Sequence, residues 1–412
     1  MIITKLETIR IPEWPNTLWV RLHTDAGLIG LGESFRACDA TETYLHSSLA
    51  PYLLGKDSRR ISQHASAFLN LVGDRFFGFP TRSVELRAFS AVDIALWDLL
   101  GQSLGVPMYQ CFGGASRERI RAYNTCANAT YNQGPGIYGG HLRAPGQQLP
   151  ATAAHGRYDD YDAAMRDAGS LANDLLESGI DAMKIWPFDS YAVATNGTEI
   201  SLQEVKRGVA VVESIRKAVG DRMEIMLEYH GRWQLAPALR IAHALRDLDI
   251  YWHEEPVAME QFDDISRFRE ATGARVAGGE SHGTAPWFRE VFARGAIDYA
   301  NFDIGWIGGI SEALKVSAVA ATYGRAIAPH DCVGPVVLAA SMHIVMNAPH
   351  AFRQEIVRGY LHGYYKDCVT ELPKVEGGYV YPLESPGLGT QLHPALLARS
   401  DLIRKTSTIS SK

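Results

Sequence analysis

Three stretches decide the fold: Glu224-Ile225-Met226-Leu227-Glu228, Tyr251-Trp252-His253-Glu254 and Val276-Ala277-Gly278-Gly279-Glu280. Each is a short apolar, β-prone run that ends on a glutamate. Glu228, Glu254 and Glu280 are spaced 26 and 26 residues apart, and Asp303, His330 and Glu355 follow at intervals of 23, 27 and 25. One strand, one helix and two loops of a parallel barrel take about 30 residues. The six polar residues therefore fall at equivalent points on successive strands. In a parallel barrel the C-terminal ends of the strands converge on one mouth, where barrel enzymes carry out their chemistry.

Working outward, the same alternation spreads from about residue 120 to 376. Amphipathic patterns over 162–178, 202–219, 237–248 and 310–323 separate strand candidates at 182–186, 224–229, 251–253, 276–279, 299–302 and 326–328. Apolar residues recurring every three to four positions mark the helices, and short apolar runs mark the strands. This is an α/β pattern with a parallel sheet. Residues 132–161 break the rhythm with Gly, Pro and Gln, as a long loop or insertion would. Residues 1–119 differ in texture. Strand-like runs at 17–24 and 28–32 flank the turn Asp25-Ala26-Gly27, and a long helix pattern over 84–104 (Leu86, Phe89, Val92, Ala95, Leu96, Leu99, Leu100) stops at Gly105 and Pro107. That is a separate α+β domain. From about 377 the chain has turn chemistry, and 407–412 reads as a disordered tail.

Bulk properties narrow the class. A chain of 412 residues is long enough for two domains. A net charge of −6 gives no reason to expect nucleic acid or an anionic membrane as a partner. Residues 1–11 do not read as a secretory signal, and no stretch approaches the ~20 apolar residues of a membrane span. Five scattered cysteines (Cys38, Cys111, Cys126, Cys332, Cys368) suggest reduced thiols in a cytoplasm.

Three carboxylates at one mouth repel one another unless a cation neutralises them. All-oxygen ligation suits a hard ion, with Mg²⁺ as the leading candidate. Glu255 points the other way along a strand and is expected to make structural bonds. His330 lies one strand after Asp303, which would orient the imidazole and raise its basicity. A metal-bound carboxylate facing a His–Asp pair suits removal of a proton next to a carboxylate. Lys184, among apolar Met183, Ile185 and Trp186, is the other candidate base or a substrate clamp.

These residues resemble the enolase superfamily, specifically its mandelate racemase subgroup. The matching pieces are Leu227 to Trp233, Glu254-Glu255-Pro256, Gly278-Gly279-Glu280-Ser281, Asp303 with Ile307-Gly308-Gly309, and His330; Ala95 to Leu99, Gly105-Val106-Pro107, the end of the 27–33 hairpin and Pro386-Gly387-Leu388-Gly389 match outside the barrel. The resemblance implies a (β/α)7β barrel, a modified TIM barrel, under an α+β capping domain to which residues 377–412 return. It implies Mg²⁺ on Glu228, Glu254 and Glu280, a His330–Asp303 base, Glu355 on the substrate carboxylate, and more than one chain in the assembly. It also implies specificity loops near 14–19 and 75–79, whose aromatic residues are either substrate contacts, Trp19 among them, or ordinary core.

The subgroup pattern has Lys-x-Lys on the second barrel strand, and here it is Lys184-Ile185-Trp186. With the second lysine missing, a strict two-base racemase fits poorly and dehydration fits better, because one histidine can take the α-proton and also protonate the departing hydroxyl, so that the proton chemistry works from one face. The pair Glu228 and His230 resembles acid-sugar dehydratases, where the histidine would act as general acid or contact a hydroxyl. Trp186 and Arg232 are assigned as further substrate contacts. The expectation is a magnesium-dependent lyase acting on a small-molecule sugar acid in carbohydrate acid catabolism. Two alternatives stay open: a cycloisomerase or epimerase working through the same enolate, and a non-catalytic barrel protein.

Overall fold

The computed structural model describes residues 1–69, 83–129 and 158–409. The expected specificity loop at 75–79 and the insertion at 132–161, apart from its last four residues, lie outside the described residues.

Eight short strands carry the barrel. Three capping strands precede them: β1 (Ile3–Arg10), β2 (Thr17–Thr24) and β3 (Ile29–Phe35). The barrel strands are β4 (Ile120–Thr125), β5 (Ala182–Ile185), β6 (Glu224–Glu228), β7 (Ile250–Glu254), β8 (Val276–Gly278), β9 (Tyr299–Ala300), β10 (Ala326–Ile327) and β11 (Gln354–Ile356). Each strand from β4 to β9 pairs in parallel with the next. The ring closes where β11 pairs in parallel with β4, Glu355 opposite Tyr123, and where Ile327 bridges Ala351. Seven helices span the intervals between them: Asp160–Glu177, Leu202–Val219, Leu235–Leu245, Phe262–Thr272, Ala285–Ala293, Gly309–Thr322 and Pro335–Asn347. Seven crossovers between eight parallel strands make the (β/α)7β barrel that the resemblance implied.

Alternation along these strands sets what faces inward. Tyr123, Ala182, Met226, Trp252, Ala277 and Ala328 form a buried plug inside the ring. Two residues further on, in the same phase, come Thr125, Lys184, Glu228, Glu254 and His330. The apolar plug is thus the floor on which the polar residues stand.

The chain's two ends share one antiparallel sheet in the order β14-β1-β2-β3, with β14 at Ile403–Thr408. Between them, β12 (Val375–Glu376) and β13 (Tyr379–Val380) form a hairpin whose second strand pairs with β4. The reading of 407–412 as a disordered tail needs correction at its start, where Ser407 and Thr408 pair with Leu6 and Lys5; residues 410–412 lie outside the described residues. β14 is mostly exposed and lacks an apolar stripe. It is held by the backbone ladder, which hydrophobic periodicity cannot reveal. The helix Ser83–Leu104 lies directly on β3. A Cβ on Gly32 would sit 1.8 Å from the carbonyl oxygen of Ala91, so only glycine admits this approach.

The cap grips the barrel by helix N-termini. Asp93 accepts bonds from the Ser311 N–H (2.8 Å) and hydroxyl (2.6 Å), and Ser90 accepts from Gly308 N–H (2.9 Å). Glu33 Oε2 accepts from Val336 and Val337 N–H, both at 3.0 Å. Carboxylates at such ends satisfy orphan donors and complement the helix dipole. Burial nevertheless pushes both acids up to about 7, against these bonds. The two helices held this way follow β9 and β10, whose ends carry Asp303 and His330.

Three of the seven barrel helices had no counterpart among the sequence patterns. Pro335–Asn347 is buried on nearly every side, so it shows no polar face. Phe262–Thr272 buries only Ile265 and Phe268. Ala285–Ala293 buries Phe288, Val291 and Phe292 in a helix of only nine residues. Among the described residues no helix is long and apolar enough to cross a membrane.

His343 links Pro335–Asn347 to the returning chain by donating from Nε2 to the Leu388 carbonyl (3.1 Å). Burial lowers its pKa to about 4, against that bond. A depressed histidine contributes stability that is fully present above its unfolded value of about 6.5 and is lost as pH falls through the folded value. We expect this group alone to remove about 3 kcal/mol between pH 6.5 and 4. Urea midpoints across that range should fall less steeply for His343→Gln than for the unaltered chain; equal slopes would rule the account out.

Candidate active site

Glu228 and Glu254 are cross-strand partners at the ends of β6 and β7. Glu280 is different. The partner of Glu254 on β8 is Ala277, so Glu280 lies three residues past that register point, on the turn after β8. Gly279, with φ at 110°, bends the chain there; a Cβ at this position would meet the Phe288 ring at 2.7 Å. Equal spacing in sequence therefore reflects equal unit length, not equal register. The outcome is the same: one oxygen from each of Glu228, Glu254 and Glu280 lies within 4.8 Å of the others, and all three side chains are buried.

Supporting bonds hold the triad. Glu228 Oε1 accepts from the N–H groups of Tyr229 (3.0 Å) and His230 (2.6 Å). Glu254 Oε2 accepts from Trp252 Nε1 (3.0 Å). Glu255 turns away at φ 43° and accepts from Gly279 N–H (3.0 Å), the structural bond expected of it. Burial raises Glu228 to about 8 and Glu254 well above the carboxylate range, with Lys184 opposing both.

Two cationic side chains face this charge. Lys184 Nζ is 2.7 Å from Glu254, 3.0 Å from Glu355 and 3.4 Å from Glu228. Burial would lower its pKa, but Glu254 and Glu355 hold it well above the ordinary value. His330 donates from Nδ1 to Asp303 Oδ2 (2.7 Å), and its Nε2 is 3.4 Å from Glu280. Burial opposes its charge as well, and Glu280, Glu355 and Asp303 override burial. Asp303 and His330 bridge in parallel as extensions of β9 and β10.

Across the mouth, His230 Nδ1 donates to Asp189 Oδ2 (2.6 Å) and Arg232 Nε donates to the same oxygen (3.1 Å). Trp186 meets the His230 ring edge-on at 5.6 Å and stacks on Tyr161 at 5.3 Å. Lys184, Trp186, His230, Glu280 and His330 line one cavity with Phe35, Thr125, Trp306 and Cys332. Glu355 sits just behind it, bonded to Thr125, Lys184 and Asp331 N–H. Arg232 lies behind His230 and is outside the lining.

Trp19 departs from its expected place as a substrate contact. It is fully buried and donates to Glu33 Oε1 (2.8 Å), its cross-strand partner. Its ring meets Trp14 edge-on at 6.2 Å. It belongs to the seam between cap and barrel. Four contributors had no place in the sequence analysis: Asp189, Thr125, Trp306 and Phe35. Asp189 follows Trp186 by three residues, and its position just past a strand end was the available signal. Trp306 and Phe35 reach the cavity from separate parts of the chain, which no local pattern marks.

The donor set fits a hard divalent cation. All three groups are carboxylates, and Glu228 Oε2 is buried with no hydrogen bond among the described residues, facing the Lys184 ammonium at 3.4 Å. Without such an ion Lys184 is the main neutralising group. We expect Lys184→Met to destabilise the chelator-treated protein by about 3–5 kcal/mol, because buried carboxylates then lack a counter-charge. Melting temperature in EDTA and on adding MgCl₂ checks this: recovery with Mg²⁺ is expected, and a variant as stable as the unaltered chain in EDTA would overturn the account.

Comparison with known proteins agrees with this geometry. Residues 15–113 match the mandelate racemase/muconate lactonizing enzyme N-terminal domain, and residues 167–396 match the enolase C-terminal domain-like family. The D-galactonate dehydratase of Verminephrobacter eiseniae is 32% identical over 404 residues, covering 96% of this chain and 94% of the relative. The D-gluconate dehydratase of Thermoproteus tenax is 28% identical, covering 93% of this chain and 69% of the relative. A crystal structure of an enolase of the mandelate racemase subgroup from Agrobacterium tumefaciens, with a succinimide residue, is 40% identical over the full length of both chains, with a TM-score of 0.85. With a matching cap, a matching barrel and a carboxylate triad at the barrel mouth, the chain belongs to the enolase superfamily and, within it, to the mandelate racemase subgroup.

Proposed function

We propose that this chain is a Mg²⁺-dependent acid-sugar dehydratase that removes the proton α to a carboxylate and eliminates the β-hydroxyl. The observation that carries this reading is the placement of two histidines about the triad. His330 follows β10 and His230 follows β6, four strands apart in a ring of eight, so they stand on opposite sides of the mouth. The dehydratase names borne by the relatives support the same reading, as does the tryptophan at the position of the subgroup's second lysine.

Glu228, Glu254 and Glu280 would hold the ion. When bound, Mg²⁺ neutralises the negative charge that develops on the substrate carboxylate as the α-proton leaves. His330, oriented through Nδ1 by Asp303, takes that proton at Nε2. Lys184 binds a carboxylate oxygen of the substrate. His230 gives a proton to the departing β-hydroxyl, which leaves as water. The enol that remains tautomerises to a 2-keto-3-deoxy acid. Trp186 and Trp306 flank the two imidazoles and exclude water from them.

Two expected outcomes test this with a panel of aldonic and aldaric acids and MgCl₂. Glu254→Gln should lower formation of a semicarbazide-reactive keto acid by about 10³-fold, the loss of about 4 kcal/mol of charge stabilisation. Turnover like that of the unaltered chain would sink the ligand assignment. His330→Asn should abolish incorporation of solvent deuterium at the α-carbon. Undiminished exchange would move the base to Lys184, and exchange without any keto product in the unaltered chain would favour epimerisation or cycloisomerisation over dehydration.

A further inference from the structure

The two sides of the mouth are built alike. On one side, Asp303 follows β9 and accepts from His330 Nδ1, which follows β10, at 2.7 Å. On the other, Asp189 follows β5 and accepts from His230 Nδ1, which follows β6, at 2.6 Å. In each case the aspartate comes from one strand and the histidine from the next. A half-turn of the eight-stranded ring relates the two pairs.

Asp189 has an ordinary explanation, and the structure argues against it. It lies in the first turn of the helix Asp189–Thr195, where an acid commonly caps the helix. Its Oδ1 makes no hydrogen bond among the described residues, so it caps no N–H of that helix. Its carboxylate is fully buried and turns to His230 and Arg232 instead. The His230 backbone is independently fixed, at φ 50° and with its N–H on Glu228. Two anchors, one on the backbone and one on the ring, leave the imidazole a single orientation. A bond through Nδ1 turns Nε2 away from Asp189, at a cavity that His230 lines.

We propose that Asp189 is a positioning residue that holds the His230 ring for proton delivery to the leaving hydroxyl, as Asp303 does for His330 on the opposite face. This rests on the dehydratase reading. It makes a specific demand: proton removal and hydroxyl loss should be separable, each with its own aspartate.

The test uses the full chain with MgCl₂ and whichever aldonic or aldaric acid the unaltered protein converts. Asp189→Asn can still bond His230 but favours the wrong tautomer. We expect keto-acid formation to fall by about 10²-fold or more while α-deuterium exchange changes by less than about 3-fold. Asp189→Glu, which keeps the charge, should recover part of the elimination, and it carries the readout if the Asn variant does not fold. A merely structural Asp189 would lower exchange and elimination together, and that result overturns the proposal, as does elimination at the unaltered rate. An unaltered chain that dehydrates no acid of the panel overturns the dehydratase reading itself, and the positioning role with it.

Discussion

Four buried carboxylates at one barrel mouth are the constraint to which the rest of the structure answers. Glu228, Glu254, Glu280 and Glu355 are all at most 6% exposed. Charges taken out of water at such distances are tolerated only beside opposite charge. The chain supplies Lys184 and His330, and the donor set leaves room in the scheme for a divalent ion. The same pressure explains the supporting bonds. Trp252 Nε1 donates to Glu254 Oε2, and the N–H groups of Tyr229 and His230 share Glu228 Oε1, so two carboxylate oxygens are not buried bare. On the proposed function the gathered charge would hold a cation, and that cation would stabilise anionic charge forming on a substrate beside it.

The cap contributes through mechanics and through shape. Its buried acids do not enter the cavity. Glu33 and Asp93 bind the N-termini of the helices that follow β10 and β9, the strands whose ends carry His330 and Asp303. Anchoring those helices limits how far the His–Asp pair can shift relative to the triad. Phe35, at the end of a capping strand, reaches the cavity and stacks near Trp306 at 6.3 Å, so the cap also closes one wall. The sheet that presents Phe35 takes strands from both ends of the chain, with β14 paired to β1 at the edge away from β3.

Around the triad, chemistry is divided by position on the ring. Strands opposite one another carry histidines opposite one another, each backed by an aspartate from the preceding strand. A substrate between them would meet one imidazole on each face. The tryptophan at residue 186 then has a clear physical place: it packs its edge against His230 and rests on Tyr161, where a lysine would bring a second cation close to Lys184. On the proposed function, the second proton-handling group about the mouth is a histidine after β6 in place of a lysine on β5.

Much of this was legible along the chain. The period of about 26 residues identified repeating βα units, and repetition alone placed Glu228, Glu254, Asp303 and His330 at one mouth, because a closed parallel sheet admits a single C-terminal rim. The apolar runs before them were readable as strands for the same reason that they now form the barrel plug. Other features belong to tertiary structure alone. Glu280 reaches the triad from beyond its register point because a glycine turn bends it back, and spacing does not report backbone direction. Trp19 looked like a cavity wall and is a seam residue, because its N–H is satisfied by Glu33 across the strand. Helix Pro335–Asn347 carried no amphipathic signal because it is buried on nearly every side. Asp189 was one residue among many acids until folding set it against His230. Sequence by itself determined the repeat, and with it the fold and the charge at the mouth; only the packed chain decided which side chains meet, because hydrogen bonds between residues 41 positions apart leave no trace in local composition.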